Sequence, residues 1–117
     1  MAVTIYHNPR CSKSRQTLEM IEEKNIKPTV IEYLKSPPSK AELKRILKLL
    51  KLTPRDLLRK KEAEYKQQGL DDDSLTDDQI IDTMIAHPKL IERPIVIAGD
   101  KAVLGRPPEN VLEIISD

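Results

Sequence analysis

Two short β-branched runs, Val3–Tyr6 and Thr29–Tyr33, bracket a helical pattern within the first 33 residues, and this arrangement limits the fold more than any other feature. The intervening segment begins near Cys11. Leu18, Ile21 and nearby Met20 suit one face of a helix extending to Lys24, and Pro28 closes the link to the second run. Strand, helix and strand in so short a span predict a right-handed βαβ unit with parallel strands.

The rest of the chain divides by period. Pro37-Pro38 interrupts, and Ser39-x-x-Glu42 has the form of a capping box. Leu43, Ile46, Leu47 and Leu50 follow as a helical stripe. Thr53-Pro54 signals a second helix carrying Leu57 and Leu58 into Arg59-Lys60-Lys61. A weaker helix spans 62–68 and stops at Gly69. A third strong one opens at Thr76-x-x-Gln79, with Ile80, Ile81, Met84 and Ile85 inward. Beyond His87-Pro88 the pattern returns to strands: 94–98, a turn at Gly99-Asp100, then Ala102–Leu104 as a hairpin partner. Pro107-Pro108 leads into a last helix with Val111, Leu112, Ile114 and Ile115. The expected class is α/β: a β-α-β … β-β-α plan on a mixed sheet, thioredoxin-like once an all-helical insertion at about 39–89 is set aside. One domain is expected over 1–117, with its core in 1–35 and 93–117.

Composition bears on partners. The chain is 38% hydrophobic and 33% charged, with neither Trp nor Phe, so Ile, Leu, Val, Met and a few Tyr must form the core. A net charge of +1 gives no general reason to bind nucleic acid or a membrane surface. The distribution is uneven: residues 1–61 hold 15 Lys or Arg against 6 Asp or Glu, and residues 62–117 hold 5 against 13. That bias reads either as solvated helix faces or as surroundings for an anion. A single cysteine rules out an intramolecular disulfide, a cysteine-rich metal site and a C-x-x-C pair, and fits a reducing compartment. With no charged segment followed by an apolar stretch at the amino terminus, no signal peptide is expected, and the expected location is cytoplasmic.

Cys11 falls where a strand gives way to a helix. The first N–H groups of a helix lack partners and the dipole adds positive charge, so the turn favours a thiolate and can hold an oxyanion. Arg10, Lys13 and Arg15 add charge nearby, and Ser14 offers a hydroxyl on the same turn. The alternative is an inert buried cysteine, but Asn8-Pro9-Arg10 before it and Ser12-Lys13-Ser14-Arg15 after it are poor core neighbours. His7 reads equally as a surface residue or as a stabiliser of the thiolate. Arg93-Pro94 and Arg106-Pro107 offer guanidinium groups suited to a tetrahedral oxyanion, or ordinary arginines at strand ends. For Arg59 the plain alternative is a cation at a helix end.

Together these segments resemble the glutaredoxin-coupled, glutathione-dependent arsenate reductase family. The resemblance rests on Tyr6-His7-Asn8-Pro9-x-Cys11-x-x-Ser14-Arg15-x-Thr17-Leu18, Leu57-Leu58-Arg59, Thr76-Asp77-Asp78-Gln79, Arg93-Pro94-Ile95-Val96 and Arg106-Pro107, and covers essentially the whole chain. With the chain ending at Asp117, it is nearer the short chromosomal type than the longer plasmid-type enzymes. It implies Cys11 as nucleophile, Arg59, Arg93 and Arg106 as oxyanion-binding residues, His7 as a group lowering the thiol's pKa, and Ser14 and Arg15 in the anion loop. Pro94 falls where such folds place a cis-proline. The implied substrate is arsenate or a similar oxyanion, with glutathione as co-substrate, glutaredoxin as partner, and no tightly bound cofactor or metal.

Three rivals differ in their sequence requirements. A low-molecular-weight phosphatase has Arg six positions after its cysteine, where this chain has Thr17. A regulator similar to the Spx-type proteins usually carries C-x-x-C, where this chain has Ser14. A glutathione-dependent thiol reductase of another substrate has nearly the same requirements as an arsenate reductase.

Overall fold

A computed structural model describes residues 2–115. The chain divides into two compact units, residues 1–36 with 93–117 and residues 37–92.

In the first unit, β1 (Val3–His7) is followed by α1 (Ser12–Glu23) and β2 (Thr29–Glu32). β1 and β2 are parallel, with His7 opposite Glu32. β3 (Ile95–Ala98) runs antiparallel to β1 with Tyr6 opposite Ile95, and β4 (Lys101–Leu104) pairs antiparallel to β3. The sheet order is therefore β2-β1-β3-β4, a mixed thioredoxin-like sheet. Gly99 opens the β3–β4 turn at φ +63, a left-handed conformation that a side chain would resist. Pro108–Val111 forms a 3-10 turn, tighter than the expected helix start, and passes into α6 (Leu112–Ile115). Val3, Ile5, Ile21, Val96, Ala98, Val111, Ile114 and Ile115 form one buried cluster.

The buried stripe of α1 differs from its apolar stripe. Ser14, Thr17 and Ile21 are the buried residues, while Leu18 and Met20 only pack partly against the core. Two polar residues hold inward positions because their hydroxyls find hydrogen bonds there.

The second unit contains α2 (Lys40–Leu50), α3 (Pro54–Leu57), α4 (Ala63–Gln67) and α5 (Asp77–Ala86). Ser39 caps α2 through the Glu42 N–H, and reciprocal capping boxes open α3 and α5 at Thr53/Asp56 and Thr76/Gln79. Leu43, Ile46 and Leu47 are the buried face of α2; Ile80, Ile81 and Met84 are that of α5. α3 stops after one turn instead of continuing to Lys61. Leu58 is extended and bridges Ile91, while the Arg59 N–H donates to the Leu90 carbonyl at 2.8 Å and the Glu92 N–H to the Leu57 carbonyl at 2.9 Å. Pairing distant in sequence thus overrides the local helical pattern. A 3-10 turn at Pro88–Leu90, which the sequence did not signal, supplies the partner strand segment.

Leu43 is fully buried. Leu43→Ala is expected to destabilise the protein by about 3 kcal/mol through lost transfer energy and a residual cavity, read as a lower urea midpoint.

Candidate active site

Cys11 is the N-cap of α1, with extended backbone (φ −93, ψ 122) that aims the first-turn amides past its side chain. The loop before it is tightly tied. The Cys11 N–H donates to the Asn8 carbonyl at 3.0 Å, the Arg10 N–H to Asn8 Oδ1 at 3.0 Å, and Arg15 Nη1 to the Pro9 carbonyl at 3.0 Å. Arg15, expected in the anion loop, therefore also fastens that loop from the helix side.

Ser14 is completely buried and ties the loop to β1. Its Oγ accepts the Asn8 N–H at 3.0 Å and lies 2.6 Å from Nδ1 of His7. The serine hydroxyl keeps both an O–H and a second lone pair beyond the one serving Asn8, so it can pair with the neutral ring through Nδ1. The ring's electrostatics agree. Burial depresses the His7 pKa below 6.5; Glu32 opposes this and Arg15 reinforces it. The hydrogen bond of His7 thus goes to Ser14, and through it to the first turn of α1.

Cys11 is buried, with 8% of its surface exposed. Burial alone would push the thiol's pKa up. The Ser14 amide, the charge of the Arg93 guanidinium, a hydrogen bond from that guanidinium and the Lys13 amide outweigh it, so the pKa lies below its ordinary value. Lys13 and Ser14 belong to the first turn of α1, so the N–H groups that favour the thiolate are ones the helix itself leaves without partners. Half-buried Arg93 buries its Nε and Nη1 atoms, and its guanidinium sets a partly desolvated cation next to the thiol, where it can face a thiolate or an oxyanion.

The Arg93 and Arg106 peptide bonds to Pro94 and Pro107 are both cis. Arg106 is exposed, and its carbonyl accepts from Asn110 Nδ2 at 3.2 Å. Arg59 belongs to the helical unit. Its Nε lies 3.6 Å from Glu92 and its Nη1 3.9 Å from Glu62, so two carboxylates flank its charge. The first unit brings together His7, Cys11, Ser14, Arg15 and Arg93.

Two further residues hold this arrangement. Buried Thr17 donates from Oγ1 to the Lys13 carbonyl at 2.8 Å, with the Gly105 carbonyl 3.4 Å away. The Gly105 N–H donates to the Pro94 carbonyl at 2.9 Å. A Cβ on Gly105 would stand 2.4 Å from Thr17 Oγ1 and 2.7 Å from Pro94 Cγ, so only glycine allows the β4 end to approach α1 this closely. Composition gave no signal for Gly105. A threonine on the inner face of α1 was the one available hint.

Comparison with known proteins places the chain. The ArsC family model matches residues 6–114, and the protein belongs to that family. It is 50% identical to an arsenate reductase of Escherichia coli over 98% of this chain and 82% of that protein. It is 51% identical to an uncharacterized protein of E. coli K12, YfgD, over 97% of this chain and 96% of that one. Its fold superposes on an arsenate reductase structure from Vibrio cholerae with a TM-score of 0.95 and 52% identity, covering 98% of each chain. Among the described residues no cluster of His, Cys, Asp or Glu could hold a metal, and no helix is long and apolar enough to cross a membrane.

Gly105→Ala is expected to cost about 2 kcal/mol from overpacking and to shift the Cys11 titration, followed by thiolate absorbance near the ultraviolet edge. The lowered His7 pKa has a defined sign. Its stabilising contribution is complete above pH 6.5 and is lost as pH falls through the lower folded value. Between pH 7.5 and 5.5, wild type should lose more urea stability than His7→Asn.

Proposed function

We propose that the protein is an arsenate reductase that uses Cys11 as nucleophile and takes its electrons from glutathione and glutaredoxin. The observation carrying this reading is the thiol itself: a cysteine at a helix N-terminus, held toward thiolate by Ser14 and Lys13 amides and by the buried Arg93 guanidinium. The same amides and guanidinium suit a tetrahedral oxyanion. Membership of the ArsC family and the similarity to named arsenate reductases support arsenate as that anion.

In this mechanism the Cys11 thiolate attacks arsenic and one arsenate oxygen leaves, with a proton, as water. A thioarsenate results, its charge offset by Arg93. A glutathione thiolate then attacks the Cys11 sulfur. The sulfur–sulfur bond forms as the sulfur–arsenic bond breaks, the electron pair passes to arsenic, and arsenic(V) leaves as arsenite. Glutaredoxin attacks the mixed disulfide and returns Cys11 as thiolate. Two thiols supply the two electrons, as a one-cysteine site requires. His7 holds Ser14, Ser14 and Arg15 hold the loop, and Arg106 contributes a second guanidinium. For Arg59 the support is the family motif, and displacement from Glu62 and Glu92 would accompany anion binding.

The reading includes one functional domain over 1–117, with a thioredoxin-like core in 1–35 and 93–117 and a helical insertion at 39–89. It also includes a cytoplasmic location, where reduced glutathione is plentiful.

The test is arsenate reduction with glutathione and glutaredoxin. Cys11→Ser should abolish it; wild-type turnover no faster than the mutant's would sink the proposal. Arg93→Ala should raise the arsenate KM by about tenfold, the loss of one charge-assisted contact.

A further inference from the structure

Beside the loop that carries Cys11 lies a cavity of about 230 Å³ whose lining includes His7, Asn8, Arg10, Glu32, Leu34 and Lys35. It is smaller than a typical small-molecule site and suits one arm of a flexible ligand. Its position is fixed by backbone pairing. His7 ends β1 opposite Glu32 at the end of β2, and Asn8 accepts the Cys11 N–H. One wall is thus the turn that positions the nucleophile.

The charges follow a pattern. Arg10 and Lys35 are exposed cations, and Glu32 is a carboxylate 3.7 Å from the Lys35 ammonium. At that length, and with both groups well exposed, the pair is weak and easily exchanged for a ligand. Two cations beside one carboxylate complement a zwitterionic amino-acid group: its carboxylate toward Arg10 and Lys35, its ammonium toward Glu32. Leu34 is 39% exposed at the cavity and offers an apolar surface for methylenes.

We propose that this cavity is a subsite for the thiol co-substrate, holding the zwitterionic amino-acid end of a glutathione-type peptide thiol while its sulfur reaches Cys11. The proposal rests on the thiol-dependent mechanism above and adds the residues that recognise the donor.

The test avoids arsenate. Cys11 thiolate reacts with glutathione disulfide to give the Cys11–glutathione mixed disulfide and one glutathione thiolate, and mass spectrometry follows the rate. Arg10→Ala/Lys35→Ala should lower this rate about tenfold, and Glu32→Gln should lower it less. Neither should change the rate with hydroxyethyl disulfide, which is neutral. Equal losses with both disulfides would mean the variants disturb Cys11 itself and would overturn the subsite. An equal loss with dithiodipropionate, which has carboxylates but no ammonium, would reduce the effect to general charge attraction and also overturn it. An unchanged rate with glutathione disulfide would do the same. Selective loss with glutathione disulfide in a protein that fails to reduce arsenate would support the subsite and refute arsenate as substrate.

Discussion

The close approach of Gly105 to α1 is the contact on which the site's geometry depends. Where any side chain would collide with Thr17 and Pro94, glycine lets two backbone segments and a helix share one small volume. The Thr17 hydroxyl and the Gly105 N–H then stitch α1, the β3 start and the β4 end together. Arg93 precedes that junction and Arg106 follows it, while Cys11 caps α1 six residues before Thr17. The backbone positions that carry the guanidinium and the thiol are therefore set by main-chain packing. Such rigid support is what electrostatic activation needs, because a cation's effect on a sulfur decays with distance and with water between them.

Around this junction the chain resolves a conflict between burial and charge. A buried thiol prefers to stay neutral, yet chemistry requires the anion. Converging amides and a desolvated guanidinium tilt the balance at Cys11, while the neighbouring His7 is pushed the opposite way, toward the neutral ring. Two titratable groups four residues apart are thus pushed to different forms: the thiol toward its anion, the ring toward its uncharged state.

Much of this was legible beforehand, for physical reasons. The βαβ order, the hairpin turn and the helix starts are local signals that correspond to observed elements, although Ser39, read as a capping box with Glu42, caps α2 only through the Glu42 N–H. Cys11 was legible because polar, turn-forming neighbours are wrong for a core position. What sequence could not supply was long-range. α3 ends early because Leu58 finds Ile91, more than thirty residues away. Thr17 and Gly105 matter through an 88-residue separation that no spacing rule encodes. The inward face of α1 was misplaced because Ser14 and Thr17 are polar, and only their tertiary partners make them buried.

Ser14 occupies the place where a two-cysteine active site would carry its second sulfur. Its hydroxyl is committed twice, to the Asn8 amide and to the His7 ring, in a volume with no exposure at all. A thiol there would be bulkier and a poorer hydrogen-bonding group, so the loop that shapes the nucleophile's surroundings would loosen as the second sulfur arrived. A second sulfur at this position would therefore come at the expense of the hydrogen bonds that tie the loop to β1. On the proposed mechanism, a chain that has built its Cys11 loop on serine would keep drawing its electrons from external thiols.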